Sequence, residues 1–455
     1  MKIIVILVFL LAFCVSAQEA DEDSLVVVEY ESLLLTVVSW PFVHIVQPTI
    51  EFLLYPAIPP LVYVSRENLI EKVKNLITYG ENGQIMFYPI INVKMGSSAN
   101  IGLAYWHSEL FFDDDRLFFS PHLYIDADWD AFLRYKKKGI FGTSFYSGLN
   151  STYREYGDNF SRDTRGVELY YADSSLALNL YSGFNLIGKL GLEFGISTNF
   201  YRFNLPSLSY DTDTSALTLA RGYYQRYNAY PLTLSLLYSD IDEPYSATRG
   251  SKFSVGYSYV PVSAYNSSED HNYHVLESRF VHYFLLGNRS YAMTVAESNA
   301  NREKLKNLTF AEAIEILNPI SIKERKLDRR VLVTQLRFRY MVEENEGKAP
   351  FTAMSTLGGQ FPLRAYPDGY FVAPLVAGLS SEYRWPLDRF VDAVIFNEYG
   401  IYSRDFSHLS ISNVKNSYGF GFRVRTSEVF ITRFALAFHG LQGISLILTT
   451  RPEYD

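Results

Sequence analysis

Residues 190–200 read Leu190-Gly191-Leu192-Glu193-Phe194-Gly195-Ile196-Ser197-Thr198-Asn199-Phe200, a run with a period of two. In an extended chain Leu190, Leu192, Phe194, Ile196, Thr198 and Phe200 fall on one face. Gly191, Glu193, Gly195, Ser197 and Asn199 fall on the other. A full charge among bare glycines is costly in a dry core and suits water, while the first face suits lipid. The pattern returns at 252–260, where Phe253, Val255, Tyr257 and Tyr259 oppose Ser254, Gly256 and Ser258. It returns again at 418–425, where Phe420, Phe422 and Val424 oppose Gly419, Gly421, Arg423 and Arg425. At 430–439, Phe430, Phe434, Leu436 and Phe438 oppose Arg433, Ala435, Ala437 and His439.

This periodicity begins near residue 84. A strand crossing a bilayer at barrel tilt needs about 9 to 11 residues, so residues 84–455 have room for roughly 16 strands with their connections. The expected fold is all-β: a 16-stranded antiparallel transmembrane β-barrel behind a short, partly helical N-terminal segment. Composition agrees. There are 36 Tyr and 33 Phe, yet charged residues still make up 20% of the chain. After the N-terminus no apolar run is long enough for a spanning helix. A soluble multi-sheet β protein is the competing reading, and the full charges facing away from the apolar side of successive strands weigh against it. The net charge of -8 argues against a nucleic-acid partner.

The N-terminus points to export. Lys2 precedes an apolar run from Ile3 to Phe13, and Val15-Ser16-Ala17 supplies small residues for cleavage, so residues 1–17 read as a signal peptide. An uncleaved anchor is the alternative. Cys14 is the only cysteine, which leaves the mature chain without disulfides or thiolate metal sites. Residues 18–83 form an expected periplasmic or lumen-docked segment. It is acidic to about residue 31, then apolar but broken by Pro41, Pro48, Pro56, Pro59 and Pro60. One amphipathic helix is expected at 66–78, with Leu69, Ile70, Val73, Leu76 and Ile77 on one face.

Turn residues order the strands. Asp242-Glu243-Pro244 and Thr248-Arg249-Gly250 connect 232–240 with 251–260, and Gly287-Asn288-Arg289-Ser290 is read as joining 273–285 to 291–298. Residues 299–328, with mixed charges and a helical pattern at Leu308 to Leu317, read as a loop insertion on the cell-surface side.

Four stretches, in order, resemble the BamA/TamA superfamily of outer-membrane barrels, the bacterial surface antigen family. They are Asp242-Glu243-Pro244 with Arg249-Gly250; Leu357-Gly358-Gly359 with Leu363-Arg364-Ala365-Tyr366; Glu382-Tyr383-Arg384-Trp385-Pro386-Leu387 followed by Phe396-Asn397-Glu398-Tyr399-Gly400; and Gly419-Phe420-Gly421-Phe422-Arg423. The resemblance implies that Arg364 sits at the tip of a loop folded into the lumen, locked by Glu382 and Glu398 on the inner wall. A guanidinium can bond two carboxylates there. Gly358 and Gly359 permit a sharp path, and Tyr366 anchors the loop by packing and a hydroxyl bond. The alternative is a solvated Arg364 with both glutamates as pore-lining charges.

The chain departs from the family at Ala365, where the family has glycine, and at Glu398, where aspartate is usual. Residues 18–83 could hold at most one POTRA module and lack its strand pattern, so POTRA domains are expected to be absent. The implied function is assistance to insertion or translocation of proteins or lipids at the Gram-negative outer membrane. A weak seam between the first strand (84–95) and the last (443–450) would do the work. Partners would be outer-membrane lipids and nascent outer-membrane proteins or secreted cargo, and the barrel would be monomeric. The alternative function is a passive pore or structural surface protein. No enzyme activity, cofactor or metal is expected. None of the eight histidines has metal-motif spacing, no nucleophile elbow appears, and Asp113-Asp114-Asp115 reads as a solvated turn before a calcium site.

Overall fold

The period-two runs form one wall that returns to its own first strand. The computed structural model describes residues 45, 47–54, 77–80, 84–94, 98–163, 168–204, 225–242, 247–265, 271–286, 330–345, 348–359, 362–388, 391–425, 430–440 and 443–449. The wall is a closed 16-stranded antiparallel barrel. Its strands are β1 Ile85–Lys94, β2 Asn100–Ser108, β3 Asp115–Tyr124, β4 Trp129–Lys137, β5 Tyr146–Asp163, β6 Glu168–Ile187, β7 Leu190–Asn204, β8 Arg226–Ala229 continued by Leu232–Ser239, and β9 Gly250–Val260 continued by Val262–Ala264. The circuit goes on through β10 Tyr273–Leu285, β11 Val331–Glu343, β12 Leu375–Asp388, β13 Val391–Ser403, β14 Val414–Arg425, β15 Phe430–His439 and β16 Gly443–Thr449. The breaks in β8 and β9 fall at Pro231 and Pro261, which have no N–H for the ladder. The carbonyl of Pro261 still accepts the Tyr230 N–H at 2.9 Å, which keeps the two broken strands together.

Closure is short. β16 meets β1 through the register pairs Asn92↔Thr449, Val93↔Leu448 and Lys94↔Ile447. By contrast, β12 and β13 pair from Leu375↔Ser403 down to Asp388↔Val391. At the other end of β1, Thr78–Tyr79 pairs with Met86 and Ile85.

Alternation assigns the faces as expected. Phe194 and Ile196 on the outward face of β7 are 51% and 63% exposed, as lipid-facing residues of a bare wall should be. Residues of the opposite parity point into the lumen. One outward strip differs: Tyr383, Trp385 and Leu387 of β12 and Val391 and Ala393 of β13 are buried, and Ile50 of the helix Gln47–Leu54 packs in that cluster. Ile50 thus reaches the outward face of the wall, not the lumen. Most of the expected helix at 66–78, the signal peptide at 1–17 and the insertion at 299–328 lie outside the described residues.

Two expectations need correction. The partner of β10 is β11, from Tyr273↔Glu343 to Leu285↔Val331, and its other neighbour is β9, so 291–298 is not its hairpin strand. The connection from β10 to β11 therefore runs over 286–330, and the Leu286 N–H bonds the Arg330 carbonyl at 2.8 Å at its base. Counting strands puts that base at the end where β1 begins and β16 finishes, here the near end. The loop carrying Arg364 rises at the far end, so this connection leaves and rejoins the wall at the end opposite to the one expected for the insertion. The Asp113–Asp115 turn is not merely solvated either. Asp115 is buried and accepts the N–H groups of Leu110, Phe111 and Phe112 and the Tyr135 hydroxyl, which shapes the turn between β2 and β3.

Outward and lumenal positions should respond differently to charge. Leu234→Arg, outward in the middle of β8, should cost about 2–4 kcal/mol in lipid vesicles, the range for a cation near the bilayer midplane. Ser235→Lys, facing the lumen, should cost much less. Urea unfolding followed by heat-modifiable gel migration measures both, and equal losses would contradict the face assignment.

Candidate functional site: the inward loop and the seam

The chain between β11 and β12 (344–374) crosses the far half of the lumen. Its first leg makes a tight turn at Phe351–Ala353, and Ala349, Phe351 and Ala353 pack on inward Phe203, Tyr227, Val260, Tyr273, Val275 and Met341. Ser355–Leu357 then pairs with Phe371–Ala373, and Phe371 lies in parallel register beside Arg162 of β5. This hairpin carries the tip to the opposite wall. Gly358 and Gly359 have φ of +104° and +108°, and a Cβ on Gly358 would stand 2.3 Å from the Pro367 carbonyl oxygen. The positive φ at both positions gives the chain its sharp path.

Arg364 is 1% exposed, and Glu382 and Glu398 are 0% exposed. Arg364 Nη1 donates to Glu382 Oε2 at 2.9 Å, and its Nε lies 2.9 Å from Glu398 Oε1. Its backbone N–H donates to Glu398 Oε2 at 2.7 Å. Glu398 thus holds both the main chain and the side chain of the tip, and the Ser380 hydroxyl also donates to it at 3.3 Å. The guanidinium lies 4.1 Å from the centre of the Phe396 ring, a cation–π stack. Gly419 makes room for that ring, since a Cβ there would meet Phe396 Cζ at 2.6 Å.

Sequence reasoning missed half of the cluster. Glu382 also accepts from Arg384 Nε at 2.6 Å and from Arg433 Nη2, so three arginines converge on one carboxylate. Asp392 of β13 stands in register opposite Arg423 of β14, and Arg423 stands opposite Arg433 of β15. These charges come from four strands and the loop. An attraction of about 4 kcal/mol per pair at 4 Å and an effective dielectric of 20 is offset by several kcal/mol of desolvation per ion. The cluster therefore fixes where the loop sits more than it raises net stability, and removing one member leaves the others buried and unbalanced.

The family's glycine position costs this chain nothing. The left-handed residue of the tip is Leu363, at φ 75°, and Ala365 is not among the residues of positive φ. Ala365 donates its N–H to Ser417 Oγ at 3.0 Å and packs with Phe396, Ala435, Ala437 and Ile447. The Tyr366 ring stacks on His439 with centroids 4.6 Å apart. The bond that ties it runs through its backbone, whose carbonyl accepts Lys94 Nζ at 2.7 Å. Burial pushes the Tyr366 phenol above its ordinary pKa. Lys94 also pairs with Asp368 at 3.3 Å. Lys94 and Ile447 are register partners across the closing seam, so the loop tip touches both of its sides.

Among the described residues no group of three His, Cys, Asp or Glu side chains is placed to hold a metal, and no described helix is long and apolar enough to cross a membrane. What the residues build is a membrane-type β-barrel with a loop ion-paired inside it and laid under a short seam. The chain is similar to BamA from Haemophilus ducreyi lacking POTRA domains 1-3, with a TM-score of 0.54 at 14% identity over 81% of this chain and 70% of that one. It also matches CdiB from Acinetobacter baumannii (TM-score 0.48, 8% identity, 81% of this chain and 60% of that one). CdiB from Escherichia coli matches at a TM-score of 0.49 and 10% identity over 80% of this chain and 62% of that one. This chain spans less than two thirds of either CdiB chain. No family model and no curated protein matches it. At these identities the likeness to BamA is one of fold.

Glu382 should matter more than Glu398, because three guanidiniums share it. Arg364→Ala should cost about 3–5 kcal/mol, the range for breaking a buried pair. Glu382→Gln should lower the thermal transition in detergent further than Glu398→Gln. The reverse order would show that the loop contact outweighs the wall cluster.

Proposed function

We propose that the chain assists insertion or translocation of proteins or lipids at the Gram-negative outer membrane, working at the seam between β1 and β16. In this reading it reaches that membrane after signal-peptide cleavage, acts as a single barrel and is not an enzyme. Its partners are outer-membrane lipids and nascent outer-membrane proteins or secreted cargo. The observation that carries the reading is the seam: among the described residues three register pairs close the barrel, and the loop tip braces both sides at Lys94 and Ile447.

The physics follows from that closure. Each ladder pair given up at the seam exposes backbone N–H and C=O groups, which an incoming strand can satisfy by adding to the edge. In lipid such groups have no water partner, so the exposed edge selects an extended chain over bare bilayer. Arg364 holds the loop against β12 to β14 while Lys94 ties it to β1. Release of Lys94 would let β1 move without disturbing the buried cluster. The loop crossing the far half of the lumen weighs against a passive pore.

A tether tests this directly. Cys14 is the only native cysteine, so Val93→Cys with Leu448→Cys places one engineered pair across the register. Antiparallel partners stand about 4.5 to 5.5 Å apart at Cα, within disulfide reach. Oxidised protein in proteoliposomes should fail to assemble a nascent outer-membrane barrel, and reductant should restore assembly. Full activity of the oxidised form would sink the seam mechanism, while inactivity of the reduced wild type would sink the insertion reading itself.

A further inference from the structure

We infer that Thr78–Tyr79 is an exchangeable occupant of the strand edge at the seam, which an incoming extended chain displaces. The inference rests on the seam reading for its use, and adds which end of the edge opens first and what holds that end closed. β1 has two edges. One is covered by β2, from Ile85↔His107 to Asn92↔Asn100. The other is shared: β16 takes Asn92 to Lys94, and Thr78–Tyr79 takes Met86 and Ile85. The chain thus lays a strand of its own on the edge that closes the barrel.

Backbone direction shows what this strand holds. The Gln84 carbonyl accepts the Ser108 N–H at 2.9 Å, so it points to β2. In an antiparallel strand the backbone groups of successive residues point to opposite edges. The β1–β2 register runs on without a shift, so even-numbered residues of β1 bond β2 and odd-numbered ones face the seam. On the seam edge Tyr79↔Ile85 is therefore a hydrogen-bonded pair, and Thr78↔Met86 a non-hydrogen-bonded one. Pro89 falls on the seam edge and offers it no N–H. It stands between the ladder of Thr78–Tyr79 and the ladder of β16. The near ladder can therefore open without unzipping the far one.

The near ladder is built to exchange. It is two residues long, and it cannot lengthen along the edge because Ile77 is already helical. Tyr79 is 54% exposed on the outward face, where its ring meets Phe87 edge-on at 6.2 Å. Gly80 behind it turns the chain at φ +92°. An incoming strand antiparallel to β1 would regain the bonds of Ile85 and could run on past Met86. Its chemistry follows from the residues it replaces. Tyr79 lies on the outward face and Thr78 shares the lumenal face with Met86, so the partner is an extended segment alternating apolar with small polar residues. A chain arriving from the near side meets Thr78–Tyr79 before it meets β16.

The test is fluorescence anisotropy of a dye-labelled peptide with the sequence of Gly443–Thr449, a strand that pairs with β1 in the structure, titrated with the full chain in neutral detergent. In a Cys14→Ser background, Thr78→Cys with Met86→Cys ties the near ladder shut, since non-hydrogen-bonded partners stand about 4.5 Å apart at Cα. The oxidised form should bind the peptide about tenfold more weakly than the reduced form, and Gly80→Val should bind it about tenfold more tightly than the wild type, because a side chain strains that turn. Variants are first checked for heat-modifiable migration, and Gly80→Ala replaces Gly80→Val if the latter misfolds. Equal binding by the oxidised and reduced forms would overturn the inference, as would a Gly80 variant that binds no more tightly, or no saturable binding by any form. The oxidised barrel with Val93→Cys and Leu448→Cys should keep its peptide site, and loss there would put the exchange at the far ladder and overturn the order. None of these readouts uses assembly. Peptide exchange in a barrel that assembles nothing would leave the exchange standing and sink the insertion reading, and assembly without exchange would do the reverse.

Discussion

A single carboxylate, Glu382, buried with three arginines around it, decides the shape of the lumen. An ion in that position cannot be left alone. Its desolvation is repaid only while Arg364, Arg384 and Arg433 stay within bonding distance, and Arg364 belongs to a loop, not to the wall. The loop is therefore committed to the interior, and everything it touches follows. Its first leg fills the far mouth over β7 to β11, its hairpin lies beside β5, and its tip reaches β1 and β16.

That placement links two features that are separate in the chain. Among the described residues the seam is the shortest ladder between neighbouring wall strands, and it is also where the loop tip lies. Ile447 and Lys94 face each other across it and meet the same turn of loop, one by packing on Ala365 and the other by bonding Tyr366 and Asp368. At the seam, side chains therefore share with a short backbone ladder the work of holding the wall together. On the lipid side, the strip at Trp385 is also covered, with Ile50 packed against it, while most of the outward face is bare.

The fold was legible because a wall with lipid on one side and water on the other needs alternating residues, and alternation survives in any single stretch such as 190–200. Arg364, Glu382 and Glu398 were legible only through resemblance, since a loop arginine and two strand glutamates have no spacing that signals contact. Lys94 was not legible at all. It lies 272 residues from Tyr366, and on a strand it reads as one more lumenal charge. Arg384 and Arg433 were hidden for the same reason. The insertion is expected on the cell-surface side because long loops are usual there, and length alone does not say from which end a connection leaves the wall. The local pattern at 291–298 was ambiguous, and only the register of Tyr273–Leu285 with Val331–Glu343 resolves it.

The most direct measurement is hydrogen–deuterium exchange of the loop-tip amides in the intact barrel reconstituted in nanodiscs. The N–H of Arg364 bonds Glu398 and the N–H of Ala365 bonds Ser417, both buried. If buried charge fixes the loop, these amides should exchange as slowly as those of β13 and β14 and open only with the wall. Exchange at the rate of a solvent-exposed loop, with the wall still protected, would contradict a loop locked in the lumen.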